Sequence, residues 1–509
     1  MMGVVFYSLT ILSFLQLLTK PLFDIFRQFR HWTISLLIIA SLLPQPPQVA
    51  ALTPYCQLSS EAIRQKNAVR NAALKGKVKQ KQAYQSLIQQ HSRLLRDCRQ
   101  QIWPQEQALW LRVYPCDLRP GVLETLLDQI VNNGYNNIYV EVFFNSQVLL
   151  PKSDNPTIWQ SIVQEQGYNN SDLLAQVIKK GHERGLKVYA WMFTLNFGYA
   201  YSRRDDRAWV LARNGRGQSS TEVVADQVQA FIDPYNPLAK ADYAKMLKAV
   251  LQRRPDGVLF DYIRYPRGIK GQTTVGEVKD LWVYGDASRQ ELINRGLNNK
   301  GRYLIERYLE QGYITVTNIA QADQQFPQEG SPLWVGRRPP SGEAKLLSAA
   351  KKPRLEADLW HLAVAHASNG VIGFLQAAAV IAQAQGIKVG AVFFPDANQG
   401  VGNRGFDARL QAWDKFPRSL QWHPMAYRVC QESKCIVSQV KRVTNVAQGQ
   451  TVVTPAIAGR WGETYQNRPP LEAQMQAIQA AVPQINAVSH FVYSWQDPEF
   501  DRQRRECRF

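Results

Sequence analysis

The stretch DGVLFDYIRYP, residues 256–266, sets one carboxylate, Asp261, at the end of an apolar run that reads as a buried strand. Alternation places Gly257, Leu259 and Asp261 on one face and Val258, Phe260 and Tyr262 on the other. An ionised carboxylate on the inner face needs partners, because an uncompensated buried charge is expensive. Arg264 and the tyrosine hydroxyls could supply them; a purely structural Asp–Arg pair is the competing reading. Two further acids close apolar runs in the same way. Asp396 ends AVFFPD, where PDANQG is also good turn chemistry. Glu141 lies in NIYVEVFFN, on the face that carries Tyr139 and Phe143. Carboxyl groups converging on one pocket suit cleavage of a glycosidic bond. One protonates the leaving oxygen, and the other attacks the anomeric carbon or activates water. The two must then differ in pKa, with one in a more apolar site. The reading is Asp261 as nucleophile or base and Asp396 as acid, with Glu141 as the alternative partner. Asn145, Trp191, Asn196, Tyr262, Arg264, Tyr265, His423, Tyr427, Tyr493 and Trp495 are the expected substrate contacts. The two tryptophans are equally suited to a core, and His423 to a satisfied interior position. Asp497 starts a turn and ranks below the other acids.

The elements that must position these residues recur regularly. Eight short apolar or alternating runs cover 108–115, 137–145, 187–196, 256–266, 388–397, 419–427, 451–459 and 490–498. Helical patterns such as GVLETLLDQIVNNG and SDLLAQVIKKGHERG lie between them, several ending in glycine before the next run. Strand and helix alternating eight times is the pattern of an α/β fold of the (β/α)8 TIM barrel type, with a doubly wound open sheet as the rival. Insertions are expected after the third strand (about 197–236) and the fourth (about 267–354). Both fall at strand C-termini, where barrels of this kind build their sites. The organisation reads as an export segment over 1–51, a helical N-terminal arm over 52–104 and the barrel over 105–509.

Composition narrows the class. The chain has 509 residues, 13 tryptophans and a formal net charge of +19. Scattered basic residues point either to a solvated surface or to an acidic partner, such as a membrane or an anionic wall polymer. No nucleic-acid motif and no GxxxxGK phosphate loop is present, so nucleic acid is not an expected partner. The run TISLLIIASLL follows Arg27, Arg30 and His31 and precedes small residues near Ala51, the layout of an export signal. A retained membrane anchor is the alternative. Six cysteines in an exported chain suit disulfides, and the expected pairs are Cys56 with Cys98, Cys116 with Cys507 on neighbouring strands, and Cys430 with Cys435. No CxxC or histidine spacing suggests a metal, and no cofactor is expected.

DGVLFDYIRYP, with NNIYVEVFFNSQVLLPKSD upstream and HPMAY and FVYSW downstream, resembles the bacterial glycosyl-hydrolase-like family ten. The resemblance runs over about 106–500, omitting much of 267–354. It implies a barrel of glycosidase type, export to the envelope and, for some members, cleavage of peptidoglycan glycan strands. Many members carry two successive acids in the fourth-strand motif; here Tyr262 replaces the second, which leaves Asp261 as the carried-over catalytic candidate. The expected activity is that of an exported, periplasmic or envelope-attached glycoside hydrolase acting on a polysaccharide or wall glycan. The missing second acid motivates a rival, a non-catalytic carbohydrate-binding or scaffold protein on the same barrel. A metal hydrolase is a third reading, poorly served by seven histidines with no HxH pair.

Overall fold

The computed structural model describes residues 55–164, 167–224, 226–267 and 272–508. The expected export segment lies outside the described residues. The polar, helix-periodic text after it folds as α1 (Ser60–Leu74) and α2 (Val78–Gln101). These two helices are not a free arm. Asp128 of α3 (Val122–Asn132) is fully buried and accepts from Arg70 of α1 at 3.0 Å, Tyr84 of α2 at 2.8 Å and Arg184 at 2.9 Å, with Lys66 of α1 at 4.0 Å. Arg184 closes α4 (Leu173–Glu183), so one carboxylate ties the arm to two barrel helices.

Eight parallel strands follow: β1 (Glu106–Leu111), β2 (Asn137–Phe144), β3 (Lys187–Phe193), β4 (Gly257–Asp261), β5 (Lys388–Phe393), β6 (Gln421–Ala426), β7 (Ala456–Ala458) and β8 (Ala487–Phe491). Each pairs with the next, and β8 pairs with β1, so the sheet closes into a (β/α)8 barrel. Closure also fixes what fills the interior. Gly257 and Gly390 stand where larger side chains would collide: a Cβ at 257 would lie 2.2 Å from the Tyr189 ring, and one at 390 would lie 2.5 Å from Leu259 and 2.7 Å from His423. The expected alternation in β4 is therefore observed, with Gly257 and Leu259 facing the axis below Asp261.

The outer ring follows from helical apolar spacing and capping. In α3, Leu123, Leu126, Leu127 and Ile130 are buried on one side. α5 (Pro237–Leu251) is capped by Asn236, whose side chain accepts from the Leu238 N–H at 2.9 Å, with Pro237 at the first helical position. The insertion after β4 forms α6 (Asp286–Asn294), α7 (Asn299–Gln311) and α8 (Val316–Gln325), then feeds α9 (Ser348–Gln383). Among the described residues α9 is the one helix long and apolar enough to cross a membrane, and half of its apolar window is buried inside the protein. It is the helix that leads into β5. Two more helices, α10 (Lys434–Ala447) and α11 (Leu471–Ala481), follow β6 and β7.

Two expectations are corrected at the C-terminal end. The eighth strand ends at Phe491 rather than Pro498, because residues 493–496 turn helically and Asp497 caps α12 (Pro498–Glu506), accepting from the Phe500 N–H at 3.1 Å. Cys116 and Cys507 are bonded, but not on neighbouring strands: Cys116 sits in the turn after β1 and Cys507 follows α12. The other disulfides are Cys56–Cys98 and Cys430–Cys435. Their Cα separations of 5.8, 5.4 and 6.6 Å fall in the ordinary range.

Candidate active site

Glu141 and Asp261 rise from β2 and β4, on either side of β3. Both carboxylates are buried, at 1% and 6% exposure. The strand between them holds Asp261: Trp191 of β3 donates its indole N–H to Asp261 Oδ2 at 3.0 Å. The backbone then turns sharply. Tyr262 adopts a left-handed φ of 53°, uncommon outside glycine, and its N–H donates to Asp261 Oδ1 at 2.6 Å. Both oxygens of Asp261 are thus fixed by donors. Burial holds its carboxyl above the usual carboxylate range, opposed by the Tyr262 N–H, the Arg264 charge and the Trp191 N–H.

Glu141 is held from the other side. Arg112 follows β1, and the register that sets Leu111 beside Val140 brings it level with Glu141. Its Nε donates to Glu141 Oε2 at 2.8 Å and its Nη2 to Oε1 at 3.4 Å, while the arginine side chain stays 47% exposed. Burial pushes Glu141 up to about 7; Arg112 opposes this and the charge of Asp261 adds to it. The two carboxylates are therefore electrostatically coupled, and they differ in environment: Glu141 is hydrogen-bonded to a cation and Asp261 to neutral N–H donors, with Arg264 acting on Asp261 only through its charge.

Aromatic rings frame them. The Phe193 ring stacks on Tyr262 with centroids 4.1 Å apart, and Phe144 is 6.5 Å from Phe193. The Arg264 guanidinium lies 4.5 Å over the Tyr262 ring and 5.8 Å from Phe394. On the far side of the barrel, Phe491 lies 5.3 Å from Tyr427 and 5.7 Å from Trp495, which is 5.0 Å from Tyr465. Tyr427 is close enough to Asp261 for that charge to act on its hydroxyl, which burial pushes well above its ordinary value.

The remaining expected contacts divide. Asn145 is exposed, with φ 44°, in the turn after β2. Asn196 is fully buried: its Oδ1 accepts from the Gly198 N–H at 3.2 Å, and its Nδ2 has no protein partner. Tyr265 is fully buried, its hydroxyl without a partner. His423 sits in the barrel interior beside Tyr139, at 5.5 Å, and neither ring nitrogen is bonded; burial pushes it down to about 3, so it is neutral. Tyr493 points away, donating to Gln129 Oε1 of α3 at 2.7 Å. Asp396 is half-buried and accepts from Gln439 Nε2 of α10 at 3.0 Å, and the charge acting on Glu141 comes from Asp261 rather than Asp396. Among the described residues no three His, Cys, Asp or Glu side chains are grouped to hold a metal ion. Arg112, Phe193 and Phe491 escaped the sequence reading. A basic residue one place past β1 and an acid at the matching place in β2 are a legible pair once the strands are assumed to be neighbours.

The two carboxylates and the fourth-strand motif fall in one part of the chain. Residues 72–291 match the family model described as Glycosyl hydrolase-like 10. The Glycosyl hydrolase-like 10 match spans Glu141 and Asp261 and stops before Asp396, His423, Tyr427, Tyr493 and Trp495. None of the curated proteins matches the chain. Among solved structures, a GH20 exo-β-N-acetylglucosaminidase from Vibrio harveyi aligns at 10% identity and TM-score 0.37, over 78% of this chain and 51% of that one. A GH18 chitinase from Pseudoalteromonas aurantia aligns at 10% identity and TM-score 0.35, over 78% and 97%. The chain thus spans about half the length of the first of these. A glycosidase-like TIM barrel is the description that the family model and the strand register support together.

Proposed function

We propose that the protein is an exported glycoside hydrolase that cleaves O-glycosidic bonds of a polysaccharide or wall glycan, with Glu141 as the general acid and Asp261 as the nucleophile or base. The observation that carries this reading is the buried, coupled pair itself. Glu141, held at about 7, keeps its proton near neutrality and can give it to a leaving oxygen. The N–H groups of Trp191 and Tyr262 favour the ionised form of Asp261, the form that attacks the anomeric carbon or accepts a proton from water. Glu141 takes the acid role first expected of Asp396, whose carboxylate is engaged by α10. Phe193, Tyr262, Tyr427, Phe491 and Trp495 offer flat apolar faces to sugar rings, and Arg264 and Asn145 offer donors. Three disulfides suit the oxidising exterior that an export signal implies. Purified sacculi and a panel of polysaccharides are incubated with wild-type protein and with Asp261→Asn. New reducing ends are expected from the wild type alone. Release of none from any substrate, with binding retained, would favour a non-catalytic carbohydrate-binding role.

A further inference from the structure

The insertion after β4 carries a second cleft, outside the barrel mouth and beyond the family match. It has a volume of about 570 Å³ and lies between α9 and the loop that joins α8 to it. Four arginines line it: Arg295, Arg337, Arg338 and Arg354. Their roles differ. Arg337 forms the floor, stacked 4.8 Å from the Trp334 ring, its donors taken by Asp358 at 3.1 Å, the Pro332 carbonyl at 2.7 Å and Glu343 at 2.5 Å. Arg295 is braced from behind by His366 Nδ1 at 2.9 Å and the Tyr235 hydroxyl at 3.3 Å. Arg338 is exposed and has no partner among the described residues; Arg354 is 56% exposed and reaches Asp358 only at 3.9 Å. His361 and Asn369 stand on the exposed side of α9 and complete the rim with uncommitted polar groups.

The charge does not balance. Asp358 is the one acid lining the cleft, and the Arg337 floor already claims it. The open donors are guanidinium forks beside an imidazole and an amide. Guanidinium forks match the two oxygens of a carboxylate, and the amide and imidazole match hydroxyl groups. The volume is that of a small-molecule site rather than of a bare ion.

We propose that this cleft binds a carboxylate-bearing saccharide, with Arg338 and Arg354 taking the carboxylate and His361 and Asn369 the ring hydroxyls. It is a binding site separate from Glu141 and Asp261. Its assay involves no turnover, so it stands or falls independently of the hydrolytic reading. The full-length protein is titrated calorimetrically with trigalacturonic acid, with maltotriose and with a glycerol phosphate trimer. Trigalacturonic acid is expected to bind at least tenfold more tightly than maltotriose, to weaken as salt is raised, and to lose at least tenfold in affinity in Arg338→Ala/Arg354→Ala. Both side chains are exposed, so the thermal midpoint of the variant should be unchanged. Equal binding of charged and neutral trisaccharides, undiminished affinity in the double variant, or preference for the phosphate trimer would each overturn the assignment.

Discussion

The side chain of Arg112 decides how the carboxylate pair behaves. It opposes the burial that lifts Glu141, so replacing it removes the restraint on that proton. Arg112→Gln is expected to move the alkaline limb of the kcat profile to higher pH, because Glu141 then stays protonated further up the scale. Asp261→Asn removes a neighbouring negative charge and should do the reverse to Glu141, lowering its pKa. The same substitution is expected to cost at least about 100-fold in kcat with the fold intact. Glu141→Gln should cost a similar factor on a sugar leaving group and far less on an activated aryl glycoside, which needs no proton. Equal losses on the two substrates would remove Glu141 from the acid role. Asp261 was legible in the sequence because its acid interrupts a strand of fixed alternation. Glu141 was legible as the alternative partner, but its pairing with Arg112 was not, because Arg112 follows a different strand and only the β1–β2 register brings them level.

At the level of strands and helices, the interior glycines are the sensitive positions. Gly390→Ala would press a methyl group against Leu259 and His423, and an overpacking cost of about 1–3 kcal/mol is expected from denaturant unfolding. The arm depends on one carboxylate in the same way. Asp128→Ala would strand Lys66, Arg70 and Arg184 in a buried site; removing one member of such a cluster costs about 3–5 kcal/mol. Hydrogen exchange should then rise first in α1 and α2. A rise confined to the barrel would contradict the pinning of the arm through Asp128. The eight strands were readable because their apolar runs and the helical spacing between them differ in period. The eighth ran long because a short apolar run does not distinguish strand from helical turn: Tyr493 and Trp495 continue the apolar text of β8, while the backbone has already turned toward the Asp497 cap. Cys507 was misplaced with them, since α12 intervenes.

At the scale of the whole molecule, four histidines among the described residues are buried and neutral. Burial pushes His91 down to about 4, and His366, His423 and His490 to about 3. Their folded values lie below the unfolded value near 6.5. The stability they contribute is present above that value and is lost as pH falls through the folded ones. Glu141 and Asp233, raised to about 7 and about 6, and Asp261 and Asp501, also raised by burial, act oppositely: their contribution is full below their unfolded values and fades as pH rises through the folded ones. Between about pH 4.5 and 6.5 the histidines and the acids oppose one another, so Glu141→Gln should make the thermal midpoint climb more steeply with pH than it does in the wild type. The same slope in both proteins would show that Glu141 titrates alike in the folded and unfolded chain.

The bond between Cys116 and Cys507 spans 391 residues of chain. It makes almost the entire barrel a covalent loop. A single proteolytic nick anywhere inside that loop, the long excursion after β4 included, leaves both fragments joined. Such a nicked protein should migrate as one species on a denaturing gel and fall into two only when a thiol reductant is added.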